Sequence, residues 1–179
     1  MARAAVRLFL DKGVAETTVE EIAAEAGIST RTLWRYFPNK ESCVMPLLTE
    51  GIERTAECLR SWRRDQGVSG LIDLLSSGCA GASEPTVAML DMVRLTRTEP
   101  GLRAVWLEAH HQAEPAFAEA LAQRAGLPEP DLVISIRAAM LNSALRVSVE
   151  HHAFNADTPE SLAAVSAEAV VIAARGLPS

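Results

Sequence analysis

Two short amphipathic segments joined at one glycine constrain the fold of this chain most. The first has its apolar residues on one face, and Thr18 followed by Glu21 has the spacing of a capping box at a helix start. Gly27 ends that helix, and Ser29 is a natural N-cap for a second one that reaches about Phe37. Two short helices at a tight glycine turn are typical of a helix-turn-helix motif.

The rest of the chain also favours helices, with almost no strand signal. Pro38 stops the second short helix, and Asn39 opens another that could reach Arg64. Pro46 lies inside this segment and predicts either a kink or a restart of the helix. Further helices are predicted at about 2–12, 71–77, 86–98, 101–125, 131–153 and 159–175. The sequence therefore predicts an all-α fold of about nine helices, with an N-terminal three-helix domain at 1–45 and a second helical domain at 46–179.

Charge is unevenly spread along the chain. The net charge is −6 overall, but residues 1–64 carry a net +1 and residues 65–179 a net −7. Contact with a polyanion is therefore expected in the first third of the chain. In the second short helix the residues facing largely outward are Thr30, Arg31, Thr32, Trp34, Arg35 and Tyr36.

Arginines, hydroxyls and an indole on one exposed face suit the major groove of DNA. Arginine reads guanine, apolar groups touch the thymine methyl, and hydroxyls reach phosphate. Lys40 follows in the first turn of the next predicted helix, where its ammonium and the free N–H groups can hold a phosphate. A solvated basic helix in an ordinary helical bundle is the alternative interpretation of this face.

The stretch "TTVEEIAAEAGISTRTLWRYFPNKES" resembles the N-terminal DNA-binding domain of the TetR (tetracycline repressor) family of bacterial regulators. The resemblance runs from about Ala4 to Ser42 and includes the paired threonines, the "YF" step and the Asn-Lys-Glu opening. Membership would imply a homodimer, two recognition helices in successive major grooves of double-stranded operator DNA, and a small-molecule effector that releases the DNA.

The resemblance also implies residue roles. Thr18 matches a cap residue that touches phosphate, and Tyr36 and Lys40 match phosphate clamps. The recognition helix is matched by Ser29, Thr30, Arg31, Thr32, Trp34 and Arg35. Two departures stand out. Glu20 would repel phosphate, and Met1 begins almost on the first helix, where relatives usually carry ten or more further residues, so either the gene starts upstream or this arm is missing.

Methionine and aromatic residues are concentrated at helical spacings in the middle of the chain. Such side chains line adaptable apolar pockets and also fill ordinary cores, and both interpretations stay open. The candidate effector-binding residues are Met89, Met92, Val93, Trp106, His110 and Phe117. Mostly apolar walls with one or two polar groups would suit a small apolar effector.

Metal, cofactor and catalytic motifs are not evident in the sequence. Adjacent histidines at 110–111 and 151–152 point about 100° apart on a helix and cannot chelate as pairs. No catalytic triad or nucleotide-binding loop is visible, so we expect no enzyme and no cofactor. The cysteines at 43, 58 and 79 lack metal-like spacing and are interpreted as reduced thiols in the cytoplasm. No run of about 18 apolar residues indicates a membrane span.

The last two predicted helices, 131–153 and 159–175, are interpreted as the homodimer element. They are rich in Ala, Ser and Val, which lets helices approach closely; simple burial in a monomer core is the alternative. The sequence therefore predicts a ligand-responsive transcriptional regulator, a repressor more than an activator. A small-molecule-binding or sequestering protein that has lost operator recognition is the alternative function.

Overall fold

The chain is helical throughout the part that the computed structural model describes, residues 1–81, 87–155 and 161–176. Nine α-helices lie in these ranges, which confirms the predicted all-α fold. They are α1 (Ala2–Lys12), α2 (Val19–Glu25), α3 (Thr30–Tyr36), α4 (Met45–Ser61), α5 (Val68–Gly81), α6 (Val87–Leu95), α7 (Pro100–Ala125), α8 (Leu132–Phe154) and α9 (Leu162–Arg175).

Helices α1, α2 and α3 bury their apolar faces. Phe9 of α1, Ile22 of α2 and Leu33 of α3 are each at most 1% exposed. The apolar stripes of three short helices are thus removed from water, which is the main source of stability for helices too short to persist alone.

The turn between α2 and α3 depends on a left-handed glycine. Gly27 has φ +68°, and its N–H donates to the Ala24 carbonyl at 3.1 Å. The N–H of Ile28 donates to the Ala23 carbonyl at 3.0 Å. These two bonds form a Schellman motif, which satisfies the last carbonyls of α2 and turns the chain into α3.

The segment from Asn39 to Arg64, predicted as a helix with a kink or a restart at Pro46, is divided in two. A 3₁₀ turn at Glu41–Val44 precedes α4, which begins at Met45. Pro46 is therefore in the first turn of α4, where a missing N–H removes no helical hydrogen bond. Of the two outcomes expected for Pro46, the structure shows the restart of the helix.

Two compact units divide the chain. One contains Met1–Glu50 and Pro85–Ala109, and the other contains Gly51–Glu84 and His110–Ser179. In the second unit α8 packs along α9, and α9 also lies against α5. Its core is built from small and branched side chains around one aromatic ring: Ala56, Leu59, Leu71, Ala113, Phe117, Ala118, Ala120, Ala122, Ile134, Ala138, Leu141 and Val170.

Replacing Gly27 tests the turn directly. Gly27→Ala should lower the free energy of unfolding by about 1–2 kcal/mol, because an L-residue is strained at positive φ. A new Cβ would meet no atom within 4 Å, so strain is the only cost. The matched control is Gly67→Ala, where φ is not positive and the nearest atom to a new Cβ lies 3.9 Å away. Equal losses in both variants, measured by urea unfolding, would contradict this account of the turn.

Candidate nucleic-acid interface

The outward face of α3 carries large, charged and aromatic side chains. Arg31 and Arg35 are exposed, and Thr30 and Thr32 are half-buried. Trp34 is 50% exposed and Tyr36 is 65% exposed. Aromatic rings are costly to leave in water, so two of them beside two arginines indicate a surface built to meet a partner.

Ser29 fixes the start of α3. Its Oγ accepts from the Thr32 N–H at 3.1 Å, and the two hydroxyl oxygens lie 2.9 Å apart. The predicted N-cap role of Ser29 is therefore confirmed. The hydroxyl pair stands at the first turn of α3, and an oxygen with two lone pairs and a rotating proton keeps capacity for a further hydrogen bond.

Arg35 and Tyr36 form a joined pair at the end of α3. The Arg35 guanidinium donates to the Tyr36 hydroxyl at 3.0 Å and lies 4.7 Å from the centre of its ring. The contact restricts both side chains, which reduces the entropy that each would lose on binding.

The hydroxyl and the N–H of Thr18 are both hydrogen-bonded within its own capping box. Its Oγ1 donates to the Glu21 carboxylate at 2.9 Å, and its N–H donates to the same carboxylate at 2.8 Å. Hydrogen bonds from Lys12 and then from Thr18 lower the pKa of Glu21 to about 2, so this carboxylate is charged at neutral pH. A phosphate at Thr18 would therefore compete with an anion that is already there.

Two ion pairs brace α2 against α1. Arg7 pairs with Glu25, and Lys12 pairs with Glu21. Sequence reasoning missed both pairs, because each joins residues on different helices. The acid that seemed unfavourable for DNA binding, Glu20, is exposed on α2.

Lys40 points back toward the loop that precedes α2. Its Nζ donates to the Thr17 carbonyl at 3.0 Å and to the Ala15 carbonyl at 3.2 Å. An ammonium group has three N–H bonds, so two of them are engaged inside the protein and one remains.

The six candidate effector-binding residues are divided between the two units. Met89, Met92, Val93 and Trp106 are buried in the first unit. Phe117 is 2% exposed within the core of the second unit, and His110 belongs to the same unit. Burial of this kind fits both a core and a pocket wall.

His110 and Asn142 form a reciprocal pair between α7 and α8. The Asn142 amide nitrogen donates to the His110 carbonyl at 2.8 Å, which leaves its oxygen facing His110 Nδ1 at 2.7 Å. Nδ1 must therefore carry the proton, and in the neutral ring Nε2 is the acceptor. Burial lowers the pKa of His110, although the Asn142 hydrogen bond opposes the shift. The ring is therefore neutral at pH 7.

Cysteine chemistry differs from the prediction. Cys43 is a buried free thiol, and burial raises its pKa to about 11. Cys58 is disulfide-bonded, so the expectation of reduced thiols is wrong for that residue. Cys79 lies outside the residues whose side chains are described.

The described ranges contain no metal-binding cluster and one helix that could span a membrane by length and composition. No group of three or more His, Cys, Asp or Glu side chains is placed to hold a metal ion there. Helix α8 has the length and mean hydropathy, 1.4 over 18 residues, that a membrane span needs, and 28% of that window is buried. One such helix is weak evidence for a membrane.

Sequence comparison connects both parts of the chain to one group of proteins. Residues 2–45 match the family described as "Bacterial regulatory proteins, tetR family", and residues 81–178 match the "MftR C-terminal domain". The chain is 24% identical to the HTH-type transcriptional repressor AcnR of Corynebacterium diphtheriae, over 85% of this chain and 78% of that protein. It is 30% identical to the HTH-type transcriptional regulator TcmR of Streptomyces glaucescens, over 73% and 61% respectively.

The fold is also similar to solved structures. A TetR transcriptional regulator from Rhodococcus sp. RHA1 superimposes with a TM-score of 0.60 at 18% identity, over 97% of this chain and 91% of that one. At this identity the likeness establishes the fold alone.

The half-buried, neutral His110 predicts a pH dependence. The unfolded chain takes up a proton near the ordinary histidine pKa of about 6.5, whereas the folded protein does so only at lower pH. Stability should therefore fall as the pH decreases below about 6.5, and His110→Gln should reduce this loss. The matched control is His111→Gln, whose side chain is 77% exposed and which should keep the wild-type profile. Urea unfolding between pH 5 and 8 measures the difference, and identical profiles for the two variants would contradict the assignment.

Proposed function

Because the chain belongs to the TetR family of bacterial transcriptional regulators, we propose that it is a ligand-responsive repressor that binds an inverted-repeat operator as a homodimer. We propose that residues 1–45 bind DNA and that residues 46–179 bind the effector and form the dimer. The site of action is the cytoplasm, where the operator is.

The observation that carries this proposal is the outward face of α3. Arg31, Trp34 and Arg35 are exposed on a helix whose inner residue, Leu33, is fully buried. In the proposed complex these side chains and those of Thr30 and Thr32 reach base edges in the major groove. Ser29, Thr18 and the hydroxyl of Tyr36 are proposed to meet phosphate, Thr18 only in competition with Glu21.

The proposed dimer uses α8 and α9. At 3.6 residues per turn, five exposed apolar side chains of α8 fall within an arc of about 100°. They are Leu132 (75%), Val133 (52%), Ile136 (50%), Met140 (37%) and Val147 (51%). Ile172 of α9 is 59% exposed as well. An apolar stripe of this length is unfavourable in water, and a second copy in an isologous four-helix contact would cover it.

The proposed effector is a small, mostly apolar molecule that contacts helices α6 and α7. These helices contain Met89, Met92, Val93, Trp106, His110 and Phe117, which are apolar apart from His110. The neutral imidazole of His110 would supply one polar contact to such a molecule without the cost of a buried charge. In the proposed mechanism effector binding changes the separation of the two recognition helices, so that they no longer match one DNA turn.

Selection from a random-sequence duplex pool tests the function without a known operator. The full chain should enrich an inverted repeat whose half-site centres lie about one helical turn apart, 10–10.5 base pairs. Enrichment of no sequence, together with weak binding to every duplex, would favour the alternative of a sequestering protein that has lost operator recognition.

Arginine substitutions test direct base recognition. On the enriched duplex Arg31→Ala should cost about 1–3 kcal/mol and relax the preference for one base, since a bidentate contact to guanine is lost. The control is Arg60→Ala, an exposed arginine of the second unit, which should leave the preference intact. Fluorescence anisotropy measures both, and equal weakening on all sequences would show that Arg31 contacts phosphate only.

A charge on the α8 stripe tests the dimer. Ile136→Glu should convert the dimer to a monomer in size-exclusion chromatography with light scattering, because the carboxylate would be buried without a partner. The control is Val87→Glu, which is 74% exposed in the first unit and should leave the assembly unchanged. A wild-type monomer, or a dimer that survives Ile136→Glu, would show that α8 does not form the interface.

A further inference from the structure

The two ends of the helix-turn-helix are joined by one side chain. Helices α2 and α3 together span Val19–Tyr36, and Lys40 lies four residues after α3 ends. Its ammonium donates at 3.0 Å to the Thr17 carbonyl, two residues before α2 begins. The hydrogen bond therefore closes the whole motif at its base, opposite the Gly27 turn.

Both anchor points of this contact are held in place. On one side, Thr17 is 1% exposed, and its hydroxyl donates to the Gly13 carbonyl at 2.8 Å. On the other side, the Ser42 N–H donates to the Asn39 side-chain oxygen at 2.8 Å, and the Ser42 hydroxyl donates to the Asn39 carbonyl at 2.7 Å. Lys40 therefore connects two locally rigid turns.

The chemistry of the ammonium suits this bracing role. Hydrogen bonds from a charged donor are stronger than neutral ones, and two carbonyls accept from the Lys40 ammonium, at 3.0 and 3.2 Å. A phosphate could use only the one remaining N–H, and moving the ammonium to DNA would break the contacts that hold the loop. While Lys40 braces the loop, its contact with a phosphate is limited to that one N–H.

We infer that Lys40 is a positioning residue that sets the orientation of the recognition helix, and that it acts mainly through the Ala15 and Thr17 carbonyls rather than as a phosphate clamp. The expected effect on DNA binding rests on the proposed function, but the positioning of α3 by Lys40 can be tested without DNA.

The first measurement follows Trp34, which is on α3, in protein labelled with 5-fluorotryptophan. In Lys40→Met the ¹⁹F resonance of Trp34, assigned with Trp34→Phe, should shift, while that of Trp62 in the other unit should not. Lys40→Arg should keep the Trp34 resonance near its wild-type position, because a guanidinium can still donate to two carbonyls. If Lys40→Met does not fold, Lys40→Gln, which keeps a shorter donor, takes its place.

The second measurement is the salt dependence of binding to a 30-base-pair duplex of random sequence. Lys40→Met should weaken binding without changing the slope of log K against log salt concentration. Arg31→Met is the matched control, and its slope should fall by about 0.9, the value for one lost phosphate contact, if Arg31 touches phosphate on nonspecific DNA.

The outcomes separate the two roles. An unmoved Trp34 resonance overturns the inference, whether or not the slope changes. A moved resonance with an unchanged slope supports it in full, and a slope reduced by about 0.9 overturns the statement that phosphate contact is secondary. If the wild-type protein binds no duplex, the proposed function fails, and the Trp34 resonance still decides whether Lys40 braces the motif.

Discussion

The left-handed turn at Gly27 is the constraint on which the rest of the helix-turn-helix depends. Positive φ at this residue ends α2 after two turns and directs the chain at once into α3. With that direction fixed, Leu33 is buried, and the helix must expose the residues on its other side. The outward positions of Arg31 and Trp34 are therefore a consequence of backbone geometry and burial, before any partner is present.

Electrostatic contacts also join α2 to α1. The pairs of Arg7 with Glu25 and Lys12 with Glu21 hold α2 on α1, and the second pair also leaves Glu21 charged within the capping box. Arg7 and Lys12 are thus paired with carboxylates of the protein itself. The net charge of residues 1–64 is only +1, and the two arginines of α3, Arg31 and Arg35, are both exposed.

Local patterns predicted the first three helices well, since caps, glycine turns and apolar periodicity act over a few residues. They failed where unusual contacts, or contacts between residues far apart in the sequence, determine the structure. The sequence predicts a helix at about 71–77, whereas α5 begins at Val68 and includes Gly70. A side chain at Gly70 would come within 2.7 Å of Gln66, so close approach rather than a turn explains that glycine. Local patterns could not predict the contacts of Lys40 either, because its partners Thr17 and Ala15 lie 23 and 25 residues away in the sequence.

Fluorescence anisotropy with duplex DNA tests whether α3 presents a sequence-reading surface. The probe is DNA from upstream of the protein's own gene, or the duplex enriched by selection, compared with a scrambled duplex at 50 and 200 mM salt. We expect a specificity ratio of about 10³ or more and an affinity that falls steeply with salt. Equal and weak binding to the enriched and scrambled duplexes would contradict it.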